Sequence, residues 1–153
     1  TVAGAQGATG AAGATGAQGP AGAQGAQGEP GARGVSAWEV IPSGQTVTGH
    51  AALDLHASDT TGDFGFTVAL PARAPAPLAP ASVVLRSEDP TCTGSYTAPT
   101  APPGKVCVYI PFVHNVSNVD AFGIDTADAF GLSWKAPATG DTYVQFAWAY
   151  TAP

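Results

Sequence analysis

The chain has little charge, no methionine and no long apolar segment. Only 10% of its 153 residues are charged, and 11 acidic against 5 basic side chains give a formal net charge of −6. An acidic chain with so few cations repels nucleic acid and anionic membranes, so neither is an expected partner. No apolar run approaches the ~18–20 residues of a membrane-spanning helix, and no signal peptide is recognisable. We therefore expect no membrane span and a start that lies near a processed or truncated end.

Cysteine is nearly absent as well. Cys92 and Cys107 flank a loop rich in proline, threonine and glycine, with no Cys-x-x-Cys pair or neighbouring histidine that would indicate zinc. Two interpretations remain, a disulfide formed in an oxidising compartment and a pair of reduced, buried thiols. The spacing favours the disulfide.

Patterns that carry catalysis are missing too. No Gly-x-Ser-x-Gly motif or local Ser/His pair occurs, so we expect neither an enzyme nor a cofactor. His50, Asp54 and His56 share one face of a predicted strand, but strand rise places the two histidines ~20 Å apart, too far for one metal ion. A solvated polar face is the favoured interpretation, and a metal site or a pH-sensitive trimer contact is the alternative.

Two aspartate-rich stretches resemble calcium loops in composition only. The segment 59–63 lacks the spacing and the terminal glutamate of an EF-hand, and Asp120, Asp125 and Asp128 cluster at predicted turns. Aspartates in such places commonly cap their own backbone, with calcium binding as the alternative.

Two further features have a structural and a functional interpretation. His114 precedes a glycosylation sequon, Asn115-Val116-Ser117, for which an exposed loop is expected. The tryptophans and tyrosines form either a carbohydrate platform or the core, and the core is favoured in a small β domain. The tryptophans are Trp38, Trp134 and Trp148.

Glycine, in contrast, is abundant and strictly periodic at the start of the chain. It occupies every third position at Gly4, Gly7, Gly10, Gly13, Gly16, Gly19, Gly22, Gly25, Gly28, Gly31 and Gly34. The collagen triple helix requires this spacing because only glycine fits its axis, whereas a flexible linker has no reason to keep the phase. Residues 1–34 are therefore predicted to be a collagen-like stalk of a homotrimer, ~90 Å long. With only two prolines, the stalk is expected to need a separate trimerisation domain.

Residues 35–153 are predicted to form that domain, an all-β head. Short alternating runs separated by Gly, Pro and Asp indicate an antiparallel β-sandwich of jelly-roll type. The predicted strands cover 35–41, 45–48, 50–56, 64–70, 82–86, 105–112, 132–135 and 141–151. The segment 71–80 (PARAPAPLAP) is expected to be an extended surface connection, because proline cannot donate to a sheet. The repeated Asp-Ala-Phe-Gly at 120–123 and 128–131 is interpreted as two matching turns or as coincidence.

Three stretches resemble bacterial secreted collagen-like proteins. They are the stalk with the following Gly34-Val-Ser-Ala-Trp-Glu-Val, then Gly104-Lys-Val-Cys-Val-Tyr, and finally Ala138-Thr-Gly-Asp-Thr-Tyr-Val-Gln-Phe-Ala-Trp-Ala-Tyr. The overall plan is also similar to C1q/TNF-like trimers. The resemblance implies an extracellular or cell-surface homotrimer with a structural or adhesive role.

Two functions are expected. The first is a homotrimeric structural subunit of the bacterial surface or extracellular matrix. In a sharper variant, motivated by a weak stalk with small, uncharged side chains, the stalk docks into the head of the next trimer to build a filament. The alternative is a trimeric recognition module whose head binds a glycan or protein ligand with avidity.

Overall fold

The computed structural model describes residues 1–28 and 39–153, and the chain divides into two units between residues 32 and 33. In the first unit, residues 1–28 are exposed and form no helix or strand. The predicted boundary between residues 34 and 35 lies outside the described residues, as do Gly31, Gly34 and Trp38. Of the predicted strand 35–41, only residues 39–41 are described; there Ile41 is fully buried and Val40 forms a parallel bridge with Arg73.

The second unit is all-β, as its alternating runs predict, with seven strands in two sheets and no α-helix among the described residues. We call the four-stranded sheet, of order β1-β7-β4-β3, sheet A, and the three-stranded sheet, of order β2-β6-β5, sheet B. The strands are β1 (Thr46–Ala57), β2 (Asp63–Ala69), β3 (Val83–Leu85), β4 (Val106–His114), β5 (Ser117–Gly123), β6 (Ala129–Lys135) and β7 (Gly140–Thr151). A single 3₁₀ turn, Pro80–Ser82, precedes β3.

In each sheet an early strand of the chain pairs with a late one, and one pair of strands departs from the expected antiparallel arrangement. The first strand pairs with the last in sheet A, and the second pairs with the last but one in sheet B. β3, however, runs parallel to β4. Parallel neighbours need a long crossover, and the loop between these two strands supplies it. A jelly roll has eight strands, so the structure shows the coarser two-sheet β architecture, and the jelly roll remains a prediction.

The core lies between the inner faces of the two sheets. Along β7, Val144, Phe146, Trp148 and Tyr150 are at most 4% exposed and belong to this core, which confirms the face that their alternation predicts. From sheet B, Phe130 meets Trp148 edge-on at a centroid distance of 5.6 Å. Trp148 also lies against the backbone of Gly49 on β1, where a Cβ atom would stand 2.6 Å from the indole. That close approach explains why β1 continues through a glycine and joins two predicted strands into one.

The proline-rich segment 71–80 is not merely a surface connection. Ala72, Ala74 and Leu78 are at most 3% exposed and join the core, while the prolines remain at the surface. The amides of Ala74 and Leu78 donate to carbonyl oxygens at 127 and 126, with N–O distances of 2.6 and 2.8 Å. The alanines and the leucine of this segment therefore supply its backbone hydrogen bonds and its buried side chains. The high proline content of the segment did not indicate this.

The interpretation of the repeated Asp-Ala-Phe-Gly as two turns is wrong. Both copies lie largely in strands, and these strands pair so that Phe122 faces Gly131 and Gly123 faces Phe130. On the outer face of sheet B, the ring of Phe122 covers Gly131, where a Cβ atom would stand 2.5 Å from it. Gly131 is therefore required by the ring of Phe122, whereas Gly123 is required by the backbone of the proline-rich segment, where a Cβ atom would stand 2.1 Å from the Ala79 carbonyl oxygen.

Candidate interaction surfaces

Contacts within the chain do not explain the glycines of the first unit. A Cβ atom added at any of the nine glycines from Gly4 to Gly28 would meet no atom within 4 Å. The three glycines of the described residues with a positive φ are Gly44, Gly104 and Gly140, all in the second unit. Neither crowding within the chain nor the left-handed conformation therefore explains the period.

In the second unit, the outer face of sheet A is covered at one end by the loop 88–104. Cys92 and Cys107 form a disulfide that ties this loop to β4. The Tyr109 hydroxyl donates to the carbonyl of Thr100 and accepts from the amide of Gly94. Cys92, Cys107, Tyr109 and Ala147 form a second buried cluster. Ala147, on this face of β7, is thus covered by the chain's own loop.

An ion pair anchors the start of the same loop. Lys105 Nζ lies 2.5 Å from Asp89 Oδ2, and the side chain of Asp89 is only 15% exposed. The hydrogen bond from Lys105, followed by those from Thr91, lowers the pKa of Asp89 from its ordinary 3.8 to about 2. The carboxylate is therefore charged at every physiological pH and holds the loop against the start of β4.

Beyond the loop, the outer face of sheet A is uncovered. We call this region the open face and define it by Asp54, Phe112, His114, Tyr143 and Gln145, which neighbour one another across β1, β7 and β4. Phe112 is 55% exposed, and its ring lies 5.8 Å from that of Tyr143. A phenylalanine exposed beside a half-buried tyrosine is typical of an interaction surface.

A β-bulge is what points Phe112 outward. The pairing of β4 with β7 shifts between Tyr109 and Phe112, so that Phe112 stands opposite Gln145 instead of Val144. A shift of one residue moves a side chain to the other face of a sheet, and Val144 belongs to the core face. The bulge therefore exposes a phenylalanine that regular pairing would have buried.

The open face differs in chemistry from the outer face of sheet B. β1, β4 and β7 contain neither lysine nor arginine, and all three histidines of the chain lie on them. Sheet B instead presents the Asp63–Lys135 ion pair, with an N–O distance of 3.3 Å, beside the exposed Thr67 and Asp120. The open face of sheet A thus lacks cations and exposes Phe112, whereas the outer face of sheet B carries an ion pair as well as the half-buried ring of Phe122.

The predicted polar face of β1 does lie toward solvent, but its members have separate partners. His50 Nε2 lies 3.0 Å from the carbonyl oxygen of Tyr96, and the two rings meet edge-on. His56 Nδ1 lies 2.9 Å from Asp141 Oδ1. Within residues 1–28 and 39–153, no group of three or more His, Cys, Asp or Glu side chains is arranged to hold a metal ion.

The aspartate-rich stretches do not act together either. Asp59 Oδ1 accepts hydrogen bonds from the Thr61 amide, the Thr61 hydroxyl and the Gly62 amide, at 2.9–3.0 Å. These bonds, that of the Thr61 amide first, lower the pKa of Asp59. Asp125 adopts a φ of 55°, while Asp120 lies within β5. Asp59 therefore caps its own loop, and the expectation that Asp120 lies at a turn is wrong, because it lies within β5.

The sequon asparagine has a structural role. Its Nδ2 group donates to the carbonyl oxygens of Ala138 and Asp141 at 2.8 and 3.2 Å, and its Oδ1 accepts from the Ala138 amide at 3.0 Å. Its own carbonyl accepts from Thr142, whose hydroxyl oxygen accepts from Trp134 Nε1. Trp134 and Trp148 are at most 4% exposed, so the platform interpretation is wrong for both, while Trp38 is outside the described residues.

Comparison with known protein families, curated proteins and solved structures finds no match for this chain. Among the described residues, no helix is long and apolar enough to cross a membrane. The sequence did not single out Phe112 or Gln145, and it included Tyr96 only among the tyrosines considered for a carbohydrate platform. Pro111 was the available signal, because proline within a strand marks an edge or a bulge.

Proposed function

We propose that this chain is the subunit of a homotrimeric, extracellular or cell-surface structural protein with a collagen-like stalk and a β-sandwich head. The observation that carries the proposal is the open space around every described stalk glycine. No contact within the chain requires glycine at every third position. Contacts with other chains account for this spacing. The triple helix is the structure in which three chains demand it.

The open face is the surface through which the heads associate. Three chains joined by a stalk bring three heads together, and Phe112 and Tyr143 offer them an apolar contact. The absence of lysine and arginine from the three long strands of sheet A leaves Asp54 and Asp141 as the formal charges there. Little desolvation of charge then opposes association of identical copies.

A matched pair of substitutions tests the head contact. Phe112→Asp places a charge on the open face, and Thr67→Asp places the same charge on the exposed outer face of sheet B. Sedimentation of the full chain is expected to show monomers for Phe112→Asp and trimers for Thr67→Asp. A trimer that survives Phe112→Asp would place the contact elsewhere.

A second pair tests the stalk. Gly16→Ala is expected to disrupt the triple helix locally and leave the head trimer intact, because an axial methyl group does not fit. Ala17→Ser changes an outward position of the same triplet and is expected to leave the stalk unaffected. Circular dichroism reports the triple helix, and sedimentation reports the trimer. If Gly16→Ala melts like the unaltered chain, the stalk is not a triple helix.

Filament formation extends the proposal. The stalk side chains are small and uncharged over residues 1–28, which suits enclosure within another trimer's heads. Negative-stain micrographs of the intact protein are expected to show regular fibres, which a shortened chain beginning at residue 35 does not form. Discrete particles from both proteins would make the stalk a spacer.

A further inference from the structure

A cleft opens beside the disulfide-tied loop, between the end of β3 and the middle of β4. Its volume is about 330 Å³, and its lining includes Arg86, Ser87, Ser95, Tyr96, Ile110 and Pro111. This volume lies at the lower end of the range for small-molecule sites and suits a single sugar ring. The two serines, the tyrosine and the arginine give it hydrogen-bonding groups around an apolar wall.

Arg86 supplies the charge of the cleft. Its Nε donates to the carbonyl of Gly94 at 3.2 Å, and its backbone amide donates to that of Val108 at 2.9 Å. Among the described cations, Lys105 and Lys135 lie in ion pairs, whereas Arg86 has no carboxylate within 4 Å in that part of the chain. The terminal nitrogens of its guanidinium are therefore available to a ligand, while Nε fixes the orientation of the group.

Tyr96 supplies an aromatic wall that is already ordered. Its hydroxyl oxygen lies 2.6 Å from Gln145 Nε2, and the His50 ring meets its ring edge-on at 5.1 Å. The disulfide and the Tyr109 hydroxyl hold the loop that carries it. A ligand that contacts this ring has little ordering entropy to overcome.

We propose that this cleft binds an acidic monosaccharide unit, a uronic-acid residue of a glycan. The sugar carboxylate pairs with the Arg86 guanidinium, the hydroxyl groups bond to Ser87 and Ser95, and the apolar side of the ring lies against Tyr96. The arginine selects the acid, and the aromatic and hydroxyl groups select the sugar. All of these groups belong to a single head, so binding can be measured whether or not the heads associate.

Each site is expected to bind weakly. One guanidinium–carboxylate pair and one ring contact correspond to a Kd on the order of 1 mM. The acidic head repels the ligand at long range, so binding should strengthen with added salt up to the point where salt screens the ion pair itself. Multiple heads on one particle would raise the avidity for a polymer of such units.

Saturation-transfer NMR with the full chain tests the proposal. Sodium D-glucuronate is expected to give a saturable signal, and D-glucose should bind at least about tenfold more weakly. Inorganic phosphate has no observable protons, so it is measured as a competitor of the glucuronate signal and should likewise bind at least about tenfold more weakly. Arg86→Ala should weaken glucuronate binding at least about tenfold, whereas Arg73→Ala, at the other described arginine, should leave it unchanged. Tyr96→Leu should weaken glucuronate binding and leave the inhibition constant of phosphate unaltered.

The same measurements include the outcomes that overturn the proposal. Equal binding by glucose would exclude recognition of the carboxylate, and equal binding by phosphate would reduce the cleft to a simple anion site. An unchanged affinity for glucuronate in Arg86→Ala would show that the sugar does not bind in this cleft. Arg86→Ala should still sediment and melt as the unaltered protein does. A result that overturns the sugar site can therefore be distinguished from one that overturns the trimer.

Discussion

Removing the disulfide should cost the head about 3 kcal/mol of stability while leaving its main core assembled. Cys92 and Cys107 close a loop across a sequence separation of 15, for which the chain-entropy account gives about 3 kcal/mol. The bridge belongs to the second cluster on the outer face of sheet A, and neither cysteine belongs to the main core. Replacing both cysteines by alanine should therefore loosen the loop and spare the strands.

Chemical unfolding at a fixed protein concentration measures this loss, with the fluorescence of Trp134 and Trp148 reporting the core. Tyr109→Phe is the matched control, because it keeps the disulfide and removes only the hydroxyl that bonds to the loop. This substitution should lower the free energy of unfolding by about 1–2 kcal/mol, because it removes the hydrogen bond that the hydroxyl donates and the one that it accepts. A loss below about 1 kcal/mol for the double alanine variant would refute the entropic account and assign the loop's stability to its polar contacts.

Two other predictions concern packing and pH. Gly123→Ala should destabilise the head by about 2 kcal/mol or more, because its Cβ atom would stand 2.1 Å from a backbone carbonyl oxygen of the proline-rich segment. Gly65→Ala is the control, with its nearest atom 4.0 Å away, and equal thermal midpoints for the two variants would contradict the packing argument. The pKa of Asp89 is depressed to about 2, so its ion pair with Lys105 stabilises the head fully above about pH 4 and is lost as the pH falls toward 2. The midpoint difference between the unaltered chain and Asp89→Asn should therefore shrink as the pH falls from 4 to 2 and vanish only below pH 2, and a constant difference from pH 6 to 2 would count against the pair.

The parts of the fold that follow from local alternation were predictable. β7 has a strict period-2 pattern and forms with its large residues inward, whereas in β2 Val68 joins the core and Phe66, at the same alternation, is 38% exposed. The burial of Trp134 and Trp148 was likewise favoured by their size. In each case a residue's own neighbours in sequence carry the information, because a half-buried strand imposes its period directly on the chain.

The parts that depend on pairing were not predictable. The repeated Asp-Ala-Phe-Gly has the composition of a turn, and only the register of β5 against β6 shows that Phe122 needs Gly131 opposite. The exposure of Phe112 depends on a one-residue shift against β7, which its own strand does not encode. Arg86 became a candidate ligand group only when its distance from every described carboxylate was known. Such properties depend on contacts between distant segments, and one sequence contains no direct record of them.

Tyr96 links the two proposed surfaces. It lines the cleft, while its hydroxyl bonds to Gln145 and its ring contacts His50, both on the outer face of sheet A. If association of the heads fixes Gln145, it also fixes the wall of the cleft, and reciprocity then requires that a bound sugar stabilise the associated heads by the same factor. Glucuronate should therefore raise the trimer's dissociation midpoint in the unaltered chain and have no such effect in Arg86→Ala. An equal shift in both proteins would mean that glucuronate acts through a non-specific solvent effect and not through the cleft. No shift in either protein would mean that Tyr96 does not couple the cleft to the open face.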